Sequence, residues 1–351
     1  LALLSNLGWQ FLAPEQALAL RGGKFDQVVL RELLRQELQK RRFSFAGKEY
    51  PLSEKSIDNL IAEVCSPALN EGLRHANQRL YNHFVYGISV TEFIDGKKVH
   101  PTIALIDWEN IHNNSFTFTE EFTVTRAGGI DSRRPDIVCF VNGIPWVVIE
   151  AKRPDGKKGP TVVEGISQCL RNQRHDEIPR LFAYSQLLLS INGNEGRYGT
   201  CGTPAKFWAV WREEDFTDAQ MYAVKNKQLS ATQVTKLFSH RPTADLHWYQ
   251  NLIAGGELAV TRQDQLLISL LSPSRLLELT RYFTLFDKKA GKIIARYQQV
   301  FGIKRLIERI NTRNSTGGRE GGVIWHTTGS GKSFTMVFLS KAMILHDSLK
   351  Q

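Results

Sequence analysis

Two carboxylates and an amine stand at a spacing that could hydrolyse a phosphodiester. Asp136 opens one apolar run, Glu150 closes a second, and Lys152 follows two residues later, with Asn142-Gly143 between the runs. Asn-Gly flanked by apolar stretches signals a β-hairpin, so all three side chains are expected on one tight hairpin. Hard magnesium prefers one or two carboxylates with water and phosphate oxygens making up the rest, and it polarises a phosphoryl oxygen while lowering the pKa of an attacking water. Asp136 and Glu150 are the candidate ligands. Side chains on a strand alternate with period two, so Lys152 shares the face of Glu150, where its ammonium could orient the water or offset developing charge.

The turn gives a strict expectation. A two-residue loop at Asn142-Gly143 would pair Asp136 with Ile149 and turn Glu150 to the other face. A three-residue loop, Asn142-Gly143-Ile144, would pair Val141 with Pro145 and set Asp136 opposite Glu150. An odd-numbered loop is therefore expected. A two-residue turn without a compensating bulge would rule the site out. Glu150 also ends an apolar run, where an unpartnered carboxylate is costly to desolvate, so metal or Lys152 should accompany it.

A second constellation lies towards the end of the sequence. Gly321-Gly322-Val323-Ile324-Trp325 reads as a short strand, His326-Thr327-Thr328-Gly329-Ser330-Gly331-Lys332-Ser333 as a glycine loop, and the apolar residues that follow as a helix. This is the strand, phosphate loop and helix of a nucleotide site. Backbone N–H groups from Thr328, Gly329, Ser330 and Gly331 would cradle phosphates, Lys332 would reach the β/γ-phosphates of ATP, and Ser333 would hold magnesium. His326 replaces the usual first glycine of the general form. Upstream, the stretch from Gly291 to Gln299 resembles the segment through which superfamily-2 helicases read adenine with a glutamine, which implies that role for Gln298 or Gln299, although Ile293, Ile294, Tyr297 and Val300 also have the spacing of a buried helical stripe.

These residues resemble a known family. Asp136, Glu150 and Lys152 are similar to the PD-(D/E)xK nuclease signature. The stretches from Gly165 to Gln173, Ile178 to Phe182, Gln186 to Asn192 and Arg197 to Thr200 resemble the N-terminal nuclease domain of HsdR, the restriction subunit of type I restriction-modification enzymes. The glycine loop resembles motif I of superfamily-2 helicases. The resemblance implies an α/β fold: a PD-(D/E)xK-like mixed sheet flanked by helices over residues 1–257, then the beginning of a RecA-like domain over 258–351, truncated after motif I. It also implies magnesium-dependent cleavage of unmethylated double-stranded DNA, coupled to ATP-driven translocation, in a complex with modification and specificity subunits. The family often carries Gln-x-x-x-Tyr on the helix after the hairpin. Gln168 matches the glutamine, whereas Asn172 stands at the tyrosine position. Glu71, before the core sheet, is a further candidate metal ligand by the same resemblance. A nuclease-helicase fusion of DNA repair, or a DNA-binding scaffold with a decayed site, would share many of these features.

Composition is consistent with this organisation. The 351 residues carry a net charge of +10 and 42% apolar residues, enough for one full domain and part of another. Residues 256–351 hold 15 Lys+Arg against 7 Asp+Glu, so most of the excess lies beside the glycine loop, where a basic surface would attract phosphate backbones. No acid cluster or second motor lobe follows the loop, so the sequence reads as part of a longer polypeptide. There is no apolar run of 18 residues and no signal peptide, so a soluble, cytoplasmic protein without membrane contact is expected. Cys65, Cys139, Cys169 and Cys201 have neither zinc nor disulfide-framework spacing.

The supporting elements follow from periodicity. Helices are expected at 25–38, capped by Lys40-Arg41-Arg42, at 56–65, at 69–81, around Gln168 and at 266–280. Strands are expected at 102–107, 115–125, 181–191 and 207–211. Arg153 to Pro160 reads as a basic loop beside the site that could touch DNA, and 212–255 as packing around His247-Trp248-Tyr249.

Overall fold

A computed structural model of the chain describes residues 1–154, 161–319, 322, 323, 325 and 331–345. Its centre is a six-stranded mixed sheet in chain order: β1 (Gln10–Phe11), β2 (Phe116–Glu120), β3 (Ile137–Val141), β4 (Ile144–Ala151), β5 (Leu187–Ile191) and β6 (Gly196–Gly199). β1 runs parallel to β2 and β4 to β5, and the other neighbours are antiparallel. β4 is buried from Ile144 to Glu150. Its nearly unbroken apolar run is what a strand covered on both faces requires.

Helices supply that cover. α1 (Arg31–Gln39), α2 (Glu54–Cys65) and α3 (Leu73–Tyr86) precede the central strands, and α4 (Val162–Asn172) and α5 (Pro179–Tyr184) connect β4 to β5. α2 begins at Ser53, whose side chain accepts from the Ser56 N–H, an N-cap. α5 has proline at its first position, where the missing N–H costs nothing.

Several expectations are corrected by tertiary contacts. The helix expected at 25–38 starts at Arg31, because Val28, Val29 and Leu30 are buried in irregular chain and the Leu30 N–H donates to the Gly143 carbonyl at 2.8 Å. The strand expected over 181–191 is α5 followed by β5, a short apolar run having no decisive period. Within 102–107 only Thr102–Ile103 is strand. The 115–125 strand breaks after Glu120 because Glu121 adopts φ +50°. Residues 207–211 retain a single bridge, Ala209 to Tyr198.

The elements after residue 258 pack against this sheet. α6 (Arg262–Leu271) and α7 (Pro273–Tyr282) lead into a hairpin of β7 (Thr284–Asp287) and β8 (Gly291–Ile294), then α8 (Tyr297–Asn311) and α9 (Lys332–Leu345). The Trp9 indole donates to the Leu271 carbonyl at 2.8 Å, Tyr81 to Thr280 at 2.9 Å, and Tyr198 to Ala295 at 3.0 Å. Buried Lys292 donates to the Ser185 carbonyl and the Gln186 side chain, and burial pulls its pKa down to about 7. Ile293 and Ile294 lie in β8, so the helical stripe read there is a hairpin joined to a helix. Among the described residues, no helix is long and apolar enough to cross a membrane.

Candidate active site

The hairpin turn contradicts the expected three-residue loop. Val141 pairs with Ile144, and Asn142 and Gly143 have φ of +53° and +80°, the type I′ geometry for which Asn-Gly is favoured. Asn142 is buried: its amide donates to the Leu105 carbonyl and Asn114, and its oxygen accepts from the Ser115 N–H. Gly143 is pinned as well, since a Cβ there would lie 2.6 Å from the Leu30 carbonyl oxygen. These contacts fix the short turn.

A bulge then restores the site. Phe140 pairs with Pro145 but Cys139 with Val147, so Trp146 is the extra residue. Its indole donates to the Thr280 hydroxyl at 3.1 Å, and its carbonyl accepts from the Gln186 N–H at 2.8 Å. Beyond it Ile137 pairs with Ile149, which carries Asp136 level with Glu150. Asp136 Oδ2 accepts from the Ala151 N–H at 2.7 Å, and Lys152 Nζ lies 3.7 Å from both Asp136 Oδ2 and Glu150 Oε2. Gln168, on α4, accepts from the Lys152 ammonium. Four of the expected residues therefore meet at the same end of the sheet.

Glu150 is 4% exposed. Burial, reinforced by the Asp136 charge and a shared hydrogen bond with it, pushes its pKa to about 8, against the pull of Lys152 and Arg171. The two carboxylates stand close together, and burial holds Glu150 in its neutral form until a cation offsets the charge of its ionised form. A hard divalent cation fits this donor set, with water and phosphate oxygens completing its shell. Glu71 does not join the pair. It is exposed on the turn Leu69–Glu71, and no three His, Cys, Asp or Glu side chains gather for a metal among the described residues.

Three supporting residues were not legible in the sequence. Ser190 sits opposite Glu150 on β5 and donates to the Val162 carbonyl at 2.7 Å. Gly165 lets α4 approach this pair, because a Cβ there would lie 2.3 Å from Ser190 Oγ and 3.3 Å from Glu150 Cβ. Cys169 is buried, and that burial, with Glu150 nearby, raises its thiol well above its usual range. Asn172, at the tyrosine position, is buried and accepts twice from Arg171. Gly165→Ala is expected to cost about 1–3 kcal/mol by overpacking and to slow cleavage about tenfold by displacing Gln168. Thermal melting and a cleavage assay would check both, and unchanged values would show that the helix adjusts freely.

The nucleotide constellation is only partly described. Thr328, Gly329 and Ser330 lie outside the described residues. Gly331 has φ +84°, α9 begins at Lys332, and Lys332 and Ser333 are exposed. Gln299 donates weakly to the Gly331 carbonyl and the Thr335 hydroxyl, both at 3.3 Å, whereas Gln298 is exposed. Of the two glutamines, Gln299 is the one joined to the loop's end. The expected strand before the loop is absent from residues 322, 323 and 325. Val323 and Trp325 are 93% and 91% exposed, and Gly321 and Ile324 lie outside the described residues.

Residues 1–207 match the family model described as the type I restriction enzyme R protein N terminus, and residues 298–351 match the SWI2/SNF2 ATPase model. The type I restriction enzyme HindI endonuclease subunit of Haemophilus influenzae is 28% identical over 358 aligned positions, covering 99% of this chain and 29% of that protein. The putative MjaVIIP endonuclease subunit of Methanocaldococcus jannaschii is 32% identical over 266 positions, covering 74% and 21% respectively. The chain thus spans less than a third of the length of these relatives. Because the first model covers more than half of its length, the chain belongs to the type I restriction enzyme R protein family, matching its N-terminal part.

Proposed function

We propose that the chain is the nuclease-bearing part of a type I restriction subunit, cutting unmethylated double-stranded DNA. The observation that carries this reading is the bulge at Trp146, which brings Asp136, Glu150, Lys152 and Gln168 together despite the two-residue turn. On this reading the sheet is a PD-(D/E)xK fold, residues 1–257 form the nuclease unit, and 258–351 begin a RecA-like translocase. Magnesium bound by Asp136 and Glu150 would supply Lewis-acid chemistry for phosphodiester hydrolysis. Lys152 would orient the attacking water and offset charge growing on the phosphoryl oxygens, while Gln168 holds its ammonium in place. Lys332, Ser333 and the loop from Thr328 to Gly331 would bind ATP and its magnesium, with Gln299 bracing the loop's end. Modification and specificity subunits would choose the target in the cytoplasm.

The test is cleavage by the full-length subunit with its modification and specificity partners, on methylated and unmethylated plasmid. Cutting is expected to require magnesium and ATP together and to be blocked by methylation. Methylation-indifferent cutting without the partners would point instead to a repair nuclease.

A further inference from the structure

We propose that the hairpin formed by Val124–Thr125 and Ser132–Arg133 is a DNA-groove finger, whose tip residue Ile130 wedges against base pairs beside the phosphate being cut. This rests on the reading that the Asp136–Glu150 pair cleaves duplex DNA. The finger leaves β2 after Glu120 and re-enters the sheet at Asp136 itself. Its base is closed by Glu121 N–H to the Asp136 carbonyl at 2.9 Å and Phe122 N–H to the Pro135 carbonyl at 3.1 Å. It therefore projects from the end of the sheet that carries Glu150 and Lys152. Asp136 lies six positions beyond Ile130, a reach of at most about 20 Å, or roughly six base-pair steps.

The finger is held firmly. Thr125 pairs with Ser132 and Val124 with Arg133, and the tip is closed by Arg126 N–H to the Asp131 carbonyl at 2.8 Å. Its flank is tied to the turn after α4: the Ala127 N–H donates to the Glu177 carbonyl at 2.8 Å, Arg133 donates to Glu177 Oε1 at 2.9 Å, and Arg126 pairs with Asp176 at 3.3 Å. Arg126 and Arg133 are thus committed to stiffening it. Ile130 is left 99% exposed beside Gly128 and Gly129, with no bulky neighbour in sequence on that side to block insertion.

A single exposed apolar residue is ordinary on a surface. Here it caps a braced projection next to a phosphodiester site, and apolar wedges between base steps are a recurrent, sequence-tolerant way to grip duplex DNA. Cations for the backbone stand close by. Arg134, two residues before Asp136, shares an exposed pair with Glu121 at 3.5 Å as its one ion pair among the described residues, which a phosphate can displace at little cost. Exposed Arg174, in the turn that anchors the finger, has no ion pair among the described residues. A wedge that reads no sequence suits a subunit whose target would be chosen elsewhere.

The experiment compares wild type, Ile130→Asp, Ile130→Leu and Lys152→Ala in the full-length subunit with its partners, following plasmid cleavage and ATP hydrolysis together. Ile130→Asp is expected to slow cleavage at least tenfold with ATP turnover unchanged, and Ile130→Leu to stay within about threefold of wild type. Duplex binding in the Lys152→Ala background should also weaken when Ile130→Asp is added, at an unchanged melting temperature. Wild-type cleavage by Ile130→Asp, or equal damage from leucine and aspartate, would overturn the finger while leaving the active site standing. Cleavage surviving in Lys152→Ala would mean that the nuclease reading has failed, and the finger with it.

Discussion

Lys152→Ala should abolish DNA cleavage while ATP hydrolysis continues at the wild-type rate. Its ammonium lies 3.7 Å from an oxygen of each carboxylate and is held by Gln168, which on the proposed reading sets it beside the phosphoryl group. Removing one preorganised charge from such a site typically costs about 10²–10³ in rate. Lys152 and the nucleotide loop belong to different elements, β4's end and the start of α9, so the effect should divide cleanly. Simultaneous measurement of plasmid cutting and phosphate release is the check. Cleavage that survives would place the chemistry elsewhere and leave the hairpin a structural role.

Glu150→Gln should eliminate cleavage too, yet stabilise the metal-free protein. Burial and Asp136 raise the Glu150 carboxyl from its ordinary 4.5 to about 8. Below about pH 4.5 the group is protonated in both the folded and unfolded chains. Between there and pH 8 the unfolded chain ionises while the folded one retains its proton, so stability declines as pH rises through this window. At one pKa unit per 1.36 kcal/mol, the loss by pH 8 amounts to about 2–4 kcal/mol after allowing for local relaxation. Glutamine has no such titration. In chelator, the wild-type melting temperature should fall from pH 5 to pH 8 while that of the variant stays flatter. Added magnesium should raise the wild type and leave the variant nearly unmoved. Parallel pH slopes would show that Glu150 is already ionised and compensated by Lys152.

The opposite signs of these effects separate catalysis from folding. A residue kept only for structure would not make the protein more stable when neutralised and inactive at the same time. Active sites are where burial and like charges are tolerated because a ligand relieves them, and the hairpin has that character.

Much of this was readable from residue types. Asp136, Glu150, Lys152 and Gln168 are the residues that the structure brings together, Asn142-Gly143 marks the turn, and Gly331-Lys332-Ser333 marks the start of a helix. Each depends on local rules: the period of a strand, the positive φ that Asn and Gly accept, the donors at a helix N-terminus. What the sequence could not decide was register. Periodicity alone demanded an odd loop, because a bulge has no signature in a run as uniformly apolar as Pro145 to Ile149. Only the tertiary structure places Trp146 as the extra residue, by giving its indole Thr280, 134 residues away, and its carbonyl the Gln186 N–H. The same holds for Gly165, whose missing side chain matters only because Ser190 and Glu150 lie beneath it, and for Glu71, which no strand or helix carries to the metal pair. Side-chain chemistry is local and is written in the sequence. The alignment of strands depends on partners distant along the chain, and here that alignment puts the two carboxylates on the same face.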